Sequence, residues 1–158
     1  MEPEAAFRAL VEEGVEFVLI GDLAAIVHGA SGANLAIDVC FRQSPENCAR
    51  LVRALERLEA QIFPTRDPPL EITAELLQRY RIFHLRTAAG RLDLLNTVPG
   101  LGAFDDLVGG ATSVELSGLS VPVLSLDQLI RSKAAMDQPK DREHLDQLMA
   151  IRRLRDES

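Results

Sequence analysis

The chain has 158 residues, the length of about one domain, and it is 47% hydrophobic and 26% charged, as globular proteins are. Lys and Arg number 17 against 24 Asp and Glu, a formal net charge of -7, which argues against a general nucleic-acid or membrane-surface binder. No apolar run approaches the roughly 20 residues that span a bilayer, and the acidic N-terminus is unlike a signal peptide. Cys40 and Cys48 form neither a disulfide framework nor a zinc pattern, so we expect a cytoplasmic, reducing setting.

The first part of the chain alternates between helical and strand-like apolar periodicity. A helical apolar face over 4–13 stops at Gly14, a residue that suits the position just after a helix. The apolar run 15–20 predicts a buried strand that ends at Gly21. Asp22 is placed to cap the short helix that follows, because its carboxylate can accept a backbone hydrogen bond.

The middle of the chain contains one clear helix and several short strands. A loop of small residues that includes Ser31 leads to a predicted strand over 35–41. Ser44 and Pro45 then open a helix, with Ser44 at the cap and Pro45 at the first helical position. Four further segments are predicted as strands, in two hairpin-like pairs: 81–87 with 91–95, and 114–116 with 119–123.

The end of the chain is predicted to be helical. Ser125 to Gln128 matches a capping box, and Pro139 separates this helix from the last one. We therefore expect one domain over 1–158. It would comprise an α/β core with a small mixed β-sheet over 1–124 and a helical hairpin over 125–158.

Two carboxylates stand inside apolar strands, Asp38 in the second predicted strand and Asp93 in 91–95. A buried carboxylate needs a cation, hydrogen-bond donors or a proton. For either residue alone, a salt bridge or a position that faces water is the simpler interpretation. For two of them in separate buried strands, a shared cation competes with it.

The order of these features carries a resemblance. An apolar strand, Gly21, a short helix, a loop and an apolar strand with Asp38 follow one another. Further matching stretches are His28-Gly29, Leu92-Asp93-Leu94-Leu95-Asn96, the helix around Lys133 and Pro139-Lys140-Asp141. Over about Gly14 to Leu148, the chain resembles the nucleotidyltransferase superfamily of DNA polymerase β and antibiotic-modifying nucleotidyltransferases. It is most similar there to small bacterial nucleotidyltransferase-like proteins.

The resemblance implies Mg²⁺-dependent transfer of a nucleoside monophosphate from a nucleoside triphosphate to a hydroxyl acceptor. The acceptor would be a small molecule, a protein or a tRNA end. Asp38 and Asp93 would be the catalytic carboxylates and metal ligands. Gly21, Asp22 and Ser31 would bind the nucleotide at the glycine turn, and Lys133 would contact phosphate. For Lys133, a side chain that merely extends its charged end to solvent is an equal alternative.

The chain departs from the superfamily pattern at four positions. Ala36 replaces the first carboxylate of the triplet, Asp22 replaces the second small residue of the turn, and Gly32 and Asn34 replace Arg and Thr. Since one Mg²⁺ needs only one or two protein carboxylates, Asp38 and Asp93 still suffice for one ion but not for two. We therefore expect activity to be weakened or lost.

The alternative hypothesis is a catalytically inactive protein that binds a nucleotide or a partner, either another protein or a second copy of the chain. The same resemblance extends to nucleotidyltransferase-like bacterial toxins, so a link to a toxin–antitoxin pair is a further possibility on fold analogy alone.

Overall fold

A computed structural model describes residues 2–33, 36–136 and 138–157 of the chain. The described helices are α1 (Pro3–Glu12), α2 (Gly21–Val27), α3 (Pro45–Arg57), α4 (Ala74–Arg79), α5 (Phe104–Leu107), α6 (Leu126–Ala135) and α7 (Pro139–Asp156), with a 3₁₀ turn at Val108–Gly110. The described strands are β1 (Phe17–Ile20), β2 (Ile37–Phe41), β3 (Gln61–Ile62), β4 (Ile82–Thr87), β5 (Gly90–Leu95), β6 (Thr97–Val98), β7 (Gly102–Ala103), β8 (Thr112–Leu116) and β9 (Leu119–Val123). None of the described helices is both long and apolar enough to cross a membrane.

Seven of the strands form one sheet in the order β3-β4-β5-β2-β1-β9-β8, and β6 pairs with β7 separately. The central strand β2 runs antiparallel to β1 and parallel to β5. β1 in turn runs parallel to β9. The sheet is therefore mixed, and the predicted α/β class with flanking helices and a C-terminal helical pair is confirmed.

The core lies between this sheet and the helices. All four residues of β1 are buried, and the apolar side of α3 buries Cys48, Leu51 and Leu55. α3 begins as predicted, because Ser44 Oγ accepts a hydrogen bond from the backbone N–H of Asn47 at 3.2 Å. This burial of aliphatic surface, at about 25 cal/mol per Å², is the main force that holds α3 on the sheet.

The start of α2 differs from the prediction. Asp22 does not cap this helix: α2 begins at Gly21, its N-cap is Ile20, and no side chain makes a capping hydrogen bond. The Asp22 carboxylate is paired with Lys133 and Lys140 instead. An ammonium group is a stronger partner for a carboxylate than a neutral backbone N–H, so these contacts replace the cap.

Several short elements were not predicted from the sequence: β3, α4, α5, β6 and β7. α4 begins at Thr73, whose Oγ1 accepts a hydrogen bond from the backbone N–H of Leu76 at 3.1 Å. It buries only Leu77, so it carries no repeating apolar stripe that a periodicity search could find. The second predicted strand, 35–41, is described from Ile37 onward as β2, and residues 34 and 35 lie outside the described residues.

Asn47 joins α3 to two strand ends, and its removal is expected to destabilise the fold. Its amide accepts from Glu16 N at 2.7 Å and donates to the backbone oxygens of Glu16 and Arg42 at 3.0 and 2.8 Å. Asn47→Ala removes all three hydrogen bonds from half-buried backbone groups, so we expect a loss of about 2–4 kcal/mol in the free energy of unfolding by urea titration. Gln78→Ala, which removes an exposed amide that donates to the Ala74 backbone oxygen, is the control, with a loss below about 0.5 kcal/mol. Equal stability of the two variants would contradict this role.

Candidate functional site

The two strand carboxylates face each other. In the parallel register of β2 and β5, Asp38 lies opposite Asp93, so both side chains project from the same face of the sheet. β1 ends one residue before Gly21, and Ile20 of β1 is the other neighbour of Asp38 in the register. The site is thus built at the carboxyl end of β1, where the chain turns into α2.

Gly21 allows the turn to approach the carboxylates closely. Its φ is +72°, and a Cβ at this position would lie 2.5 Å from Asp38 Oδ2. A side chain would therefore be strained by the backbone and would also collide with the carboxylate. Glycine at this position is required by the geometry of the site.

The two carboxylates repel each other. Burial and the neighbouring charge of Asp93 raise the pKa of Asp38 to about 7, and the charge of Asp22 acts in the same direction. Two close carboxylates cannot both ionise without cost unless a cation or a proton lies between them. The pair therefore has the electrostatics of a cation site as well as those of a shared-proton site.

Asp93 has two basic neighbours that the sequence analysis did not identify. Asp93 Oδ1 lies 3.1 Å from His84 Nδ1 and 3.6 Å from Arg91 Nε. The signal for His84 was available: the hairpin turn pairs Thr87 with Gly90, and counting back along both strands places His84 opposite Asp93. Arg91 shares the Asp93 face because the two are alternate residues of β5.

A pocket of about 230 Å³ opens above the carboxylates. Four of the predicted site residues, Gly21, Asp38, Asp93 and Lys133, line it together. Its other side is apolar and is formed by Ile20, Ile82, Leu95, Val98, Pro99, Leu129 and Met136. The sheet thus contributes the acidic side of the pocket, and α6 contributes Lys133 together with part of the apolar side.

Lys133 is bound within the protein by two carboxylates. Its Nζ donates to Asp22 Oδ1 at 2.9 Å and to Asp141 Oδ1 at 3.4 Å, and only 4% of its side chain is exposed. The alternative of a lysine that extends to solvent is therefore wrong. Burial opposes ionisation of Asp22, but the hydrogen bond and charge of Lys133, aided by Lys140, outweigh it and lower the pKa of Asp22. Asp22 is ionised and supplies the negative charge that a phosphate would otherwise bring to Lys133.

Ser31 lies outside this pocket. Its backbone N–H and its Oγ both donate to Gln147 Oε1 of α7, at 2.9 and 3.2 Å. Among the described residues, no group of three or more His, Cys, Asp and Glu side chains is arranged to hold a metal ion. Asp38 and Asp93 are accordingly a pair of candidate metal ligands rather than part of a larger acidic cluster.

Solved structures share this fold. The chain is similar to the lincomycin-bound lincosamide antibiotic adenylyltransferase LnuA over 90% of both chains, with a TM-score of 0.58 and 14% identity. ANT(2″)-Ia in complex with adenylyl-2″-tobramycin is similar over 96% of this chain and 93% of its own, with a TM-score of 0.58 and 14% identity. TM1012, a candidate nucleotidyltransferase of Thermotoga maritima, is similar over 99% of this chain and 91% of its own, with a TM-score of 0.55 and 15% identity.

No protein-family model matches the sequence, and no curated protein matches it either. The structural likeness extends over nearly the whole chain. The protein therefore has the nucleotidyltransferase fold, which confirms the fold that the resemblance implied. At identities of 14–15% the likeness establishes the fold alone.

The pKa of Asp38 predicts a pH-dependent stability. The pKa is about 7 in the folded protein against 3.8 for the unperturbed group, so the folded state holds the proton more tightly. The resulting stabilisation is full below about pH 4 and is lost as the pH rises toward 7. In buffer that contains EDTA, Asp38→Asn should therefore raise the free energy of unfolding at pH 8 by about 1–3 kcal/mol.

Urea unfolding of the wild type, Asp38→Asn and Asp127→Asn over pH 4–8 tests this expectation. The Asp127 side chain is 74% exposed and paired with Arg152, so its amide variant should follow the wild-type profile within about 0.5 kcal/mol. An Asp38→Asn profile that falls with pH as steeply as that of the wild type would contradict the proposed repulsion.

The buried lysine gives a second prediction for the site. Lys133→Met leaves Asp141, whose side chain is 4% exposed, without its buried cation. We expect a loss of about 3–5 kcal/mol in the free energy of unfolding. Lys140→Met is the matched control, because Lys140 pairs with the same Asp22 but is 66% exposed, and its loss should stay below about 1 kcal/mol. Calorimetric unfolding of both variants tests this prediction. Similar losses in the free energy of unfolding would argue against a buried ion-pair network around Lys133.

Proposed function

We propose that this protein binds one Mg²⁺–nucleoside triphosphate and transfers its nucleoside monophosphate to a hydroxyl acceptor, with weakened activity. The observation that carries the proposal is the placement of Asp38 opposite Asp93 beside Gly21. Here the side-chain chemistry, the backbone geometry and the electrostatics all favour a bound metal ion.

The donor set suits one Mg²⁺ ion. Mg²⁺ in nucleotide sites is held by one or two carboxylates, with the phosphates and water completing its shell. Asp38 and Asp93 supply these two carboxylates, and their mutual repulsion favours a cation. Bound there, Mg²⁺ would neutralise charge on the triphosphate. Ala36 offers no ligand for a second ion, which supports the weakened activity.

The remaining site residues would orient the nucleotide. Gly21 holds the turn tightly against Asp38, because a Cβ there would lie 2.5 Å from Asp38 Oδ2, and it thereby places the start of α2 beside the proposed metal ligand. Two of the three donors of the Lys133 ammonium are directed to Asp22 and Asp141, at 2.9 and 3.4 Å, so a phosphate would share Lys133 with two carboxylates. Because these carboxylates neutralise Lys133 and would repel a phosphate, we expect nucleotide binding to be weak. The acceptor, whether a small molecule, a protein or a tRNA end, is not distinguished by these contacts.

A second candidate function is supported by the same Asp22. Its carboxylate is paired with both Lys133 and Lys140, so the cations that would hold phosphates are already neutralised. A protein with these contacts could bind a nucleotide or a partner without transferring anything. A link to a toxin–antitoxin pair rests on fold analogy alone.

Nucleotide binding is tested by thermal unfolding with each nucleoside triphosphate, with and without Mg²⁺. Ligand at 100 times its Kd adds about 2.7 kcal/mol, or roughly 5–11 °C in Tm for a domain of this size. We expect a Mg²⁺-dependent rise with one triphosphate, its loss in Asp38→Asn and its retention in Asp127→Asn. The absence of any rise in the wild type would contradict binding at this site.

Transfer is tested with a nucleotide labelled at the α-phosphate, using the wild type and the double variant with Ala36→Asp and Asp22→Gly. Label transfer by the wild type supports weakened catalysis. Label transfer by the double variant alone supports the inactive binder. If neither protein binds the nucleotide, the proposed transfer is wrong, and only the partner-binding form of the second candidate stands.

A further inference from the structure

A second cluster of charged and aromatic side chains lies near the edge of the sheet, on the face that carries Asp93. Arg86 of β4 and Arg91 of β5 are direct partners in the antiparallel register. The guanidinium carbons lie 4.8 Å (Arg86) and 6.0 Å (Arg91) from the centre of the Phe63 ring. We call Arg86, Phe63 and Arg91 the Arg–Phe–Arg cluster. It lines a pocket of about 600 Å³ that also includes Glu2.

The two arginines of the cluster are poorly neutralised. Like charges directly opposite each other on a sheet are destabilising, and the register places Arg86 and Arg91 opposite each other. Within the part of the chain that the structure describes, no carboxylate lies in ion-pair distance of Arg86. Arg91 reaches only Asp93, which it shares with His84. In a chain of net charge -7, this leaves a local concentration of positive charge that the fold neutralises only in part.

A second arginine–aromatic stack in the same protein shows the contrast. The guanidinium of Arg42 lies 5.0 Å from the centre of the Phe104 ring. Arg42 is paired with the carboxylates of Glu16 and Asp105, so this stack is neutralised within the fold. The Arg–Phe–Arg cluster has the same stacking geometry without that neutralisation, and it borders a pocket.

We propose that the Arg–Phe–Arg cluster binds a planar aromatic ring that carries a negatively charged group. This chemistry is shared by a free mononucleotide and by the terminal nucleotide of an RNA strand. Guanidinium groups bind phosphate through paired, charge-assisted hydrogen bonds. Aromatic and guanidinium planes also provide surfaces on which a base can stack. Phe63 is 38% exposed, so its ring is accessible to such a ligand.

The position of the Arg–Phe–Arg cluster would make the bound molecule the acceptor of the proposed reaction. Arg91 and Asp93 are alternate residues of β5, so their Cα atoms are about 7 Å apart along one face. A ribose and a phosphate span about this distance, which would place an acceptor hydroxyl close to the carboxylate pair. The cluster would thus hold the acceptor. Only this assignment rests on the proposed function, since binding itself needs neither Mg²⁺ nor Asp38.

Binding is measured by isothermal titration in EDTA, so that the metal site takes no part. The probes are AMP, ribose 5-phosphate, inorganic phosphate and a four-nucleotide RNA. We expect AMP or the RNA to bind at least about fivefold more tightly than ribose 5-phosphate, because only they carry a base that stacks. Equal binding of AMP and RNA indicates a free mononucleotide, and binding of the RNA alone indicates a strand end. Equal binding of all four probes, or of none, overturns the proposal.

Three variants locate the site. Arg86→Gln should weaken binding of AMP or RNA about tenfold through the lost charge-assisted bonds, and Phe63→Leu about fivefold through lost stacking. Arg42→Gln is the matched control and should bind as the wild type does. Because Arg86→Gln removes both a like-charge contact and a stack on Phe63, two effects of similar size, its Tm should stay close to that of the wild type. Unchanged affinity in both cluster variants overturns the proposal.

The outcomes separate this inference from the proposed function. Asp38→Asn should abolish the Mg²⁺-dependent nucleotide response and leave AMP or RNA binding in EDTA unchanged. If transfer fails while cluster binding persists, the proposed function is wrong and the binding site stands. If the cluster variants bind normally while Mg²⁺-nucleotide binding is intact, the inference is wrong and the proposed function stands.

Discussion

The repulsion between Asp38 and Asp93 is the constraint around which the candidate site is arranged. Two carboxylates on adjacent central strands can be tolerated only if their charge is compensated. His84 and Arg91 of the same hairpin lie close to Asp93, whereas the pKa of Asp38 is raised. The negative charge is therefore less well compensated at Asp38 than at Asp93. A cation beside Asp38 and Gly21 would relieve this repulsion.

The second organising feature is the set of ion pairs that joins α2 to the C-terminal helices. Asp22 stands in the first turn of α2, and its carboxylate joins α2 to α6 through Lys133 and to α7 through Lys140. Asp141 completes the pairing of Lys133 from α7. The residue that makes the site less suited to phosphate is thus also one that holds the three helices together. Stability and phosphate binding compete for the same lysine.

Much of this arrangement follows from local sequence rules. Runs of apolar residues placed Asp38 and Asp93 within strands, and Ser44 and Ser125 were recognised as caps because their hydrogen bonds span three residues. The mixed sheet also followed from the order of elements and the resemblance. These features were predictable because each depends on residues near one another in the chain, or on a pattern that the fold repeats.

The contacts that were not predicted from the sequence join residues far apart in the chain, or depend on the pairing register of two strands. The contact between Asp22 and Lys133 joins residues 111 positions apart, so no local rule could choose it over a helix cap. Ser31 faces Gln147 for the same reason, at a separation of 116 positions. His84 was different, since the hairpin register alone would have placed it opposite Asp93. His84 lies on the exposed side of an alternating strand, where a polar residue is expected, so it did not stand out as Asp38 and Asp93 did.

Strand β5 connects the acidic and basic parts of this sheet face. Its alternate residues Arg91 and Asp93 point the same way, and each has a direct partner on β4, Arg86 and His84. One hairpin therefore sets a basic pair beside an acidic residue, with a spacing of two residues fixed by the backbone. A substrate that spans this spacing would meet a positive surface for its own negative charge before it reaches the carboxylates. The direction of charge along β5 would thus orient an anionic molecule, because the carboxylates repel the end that the arginines attract.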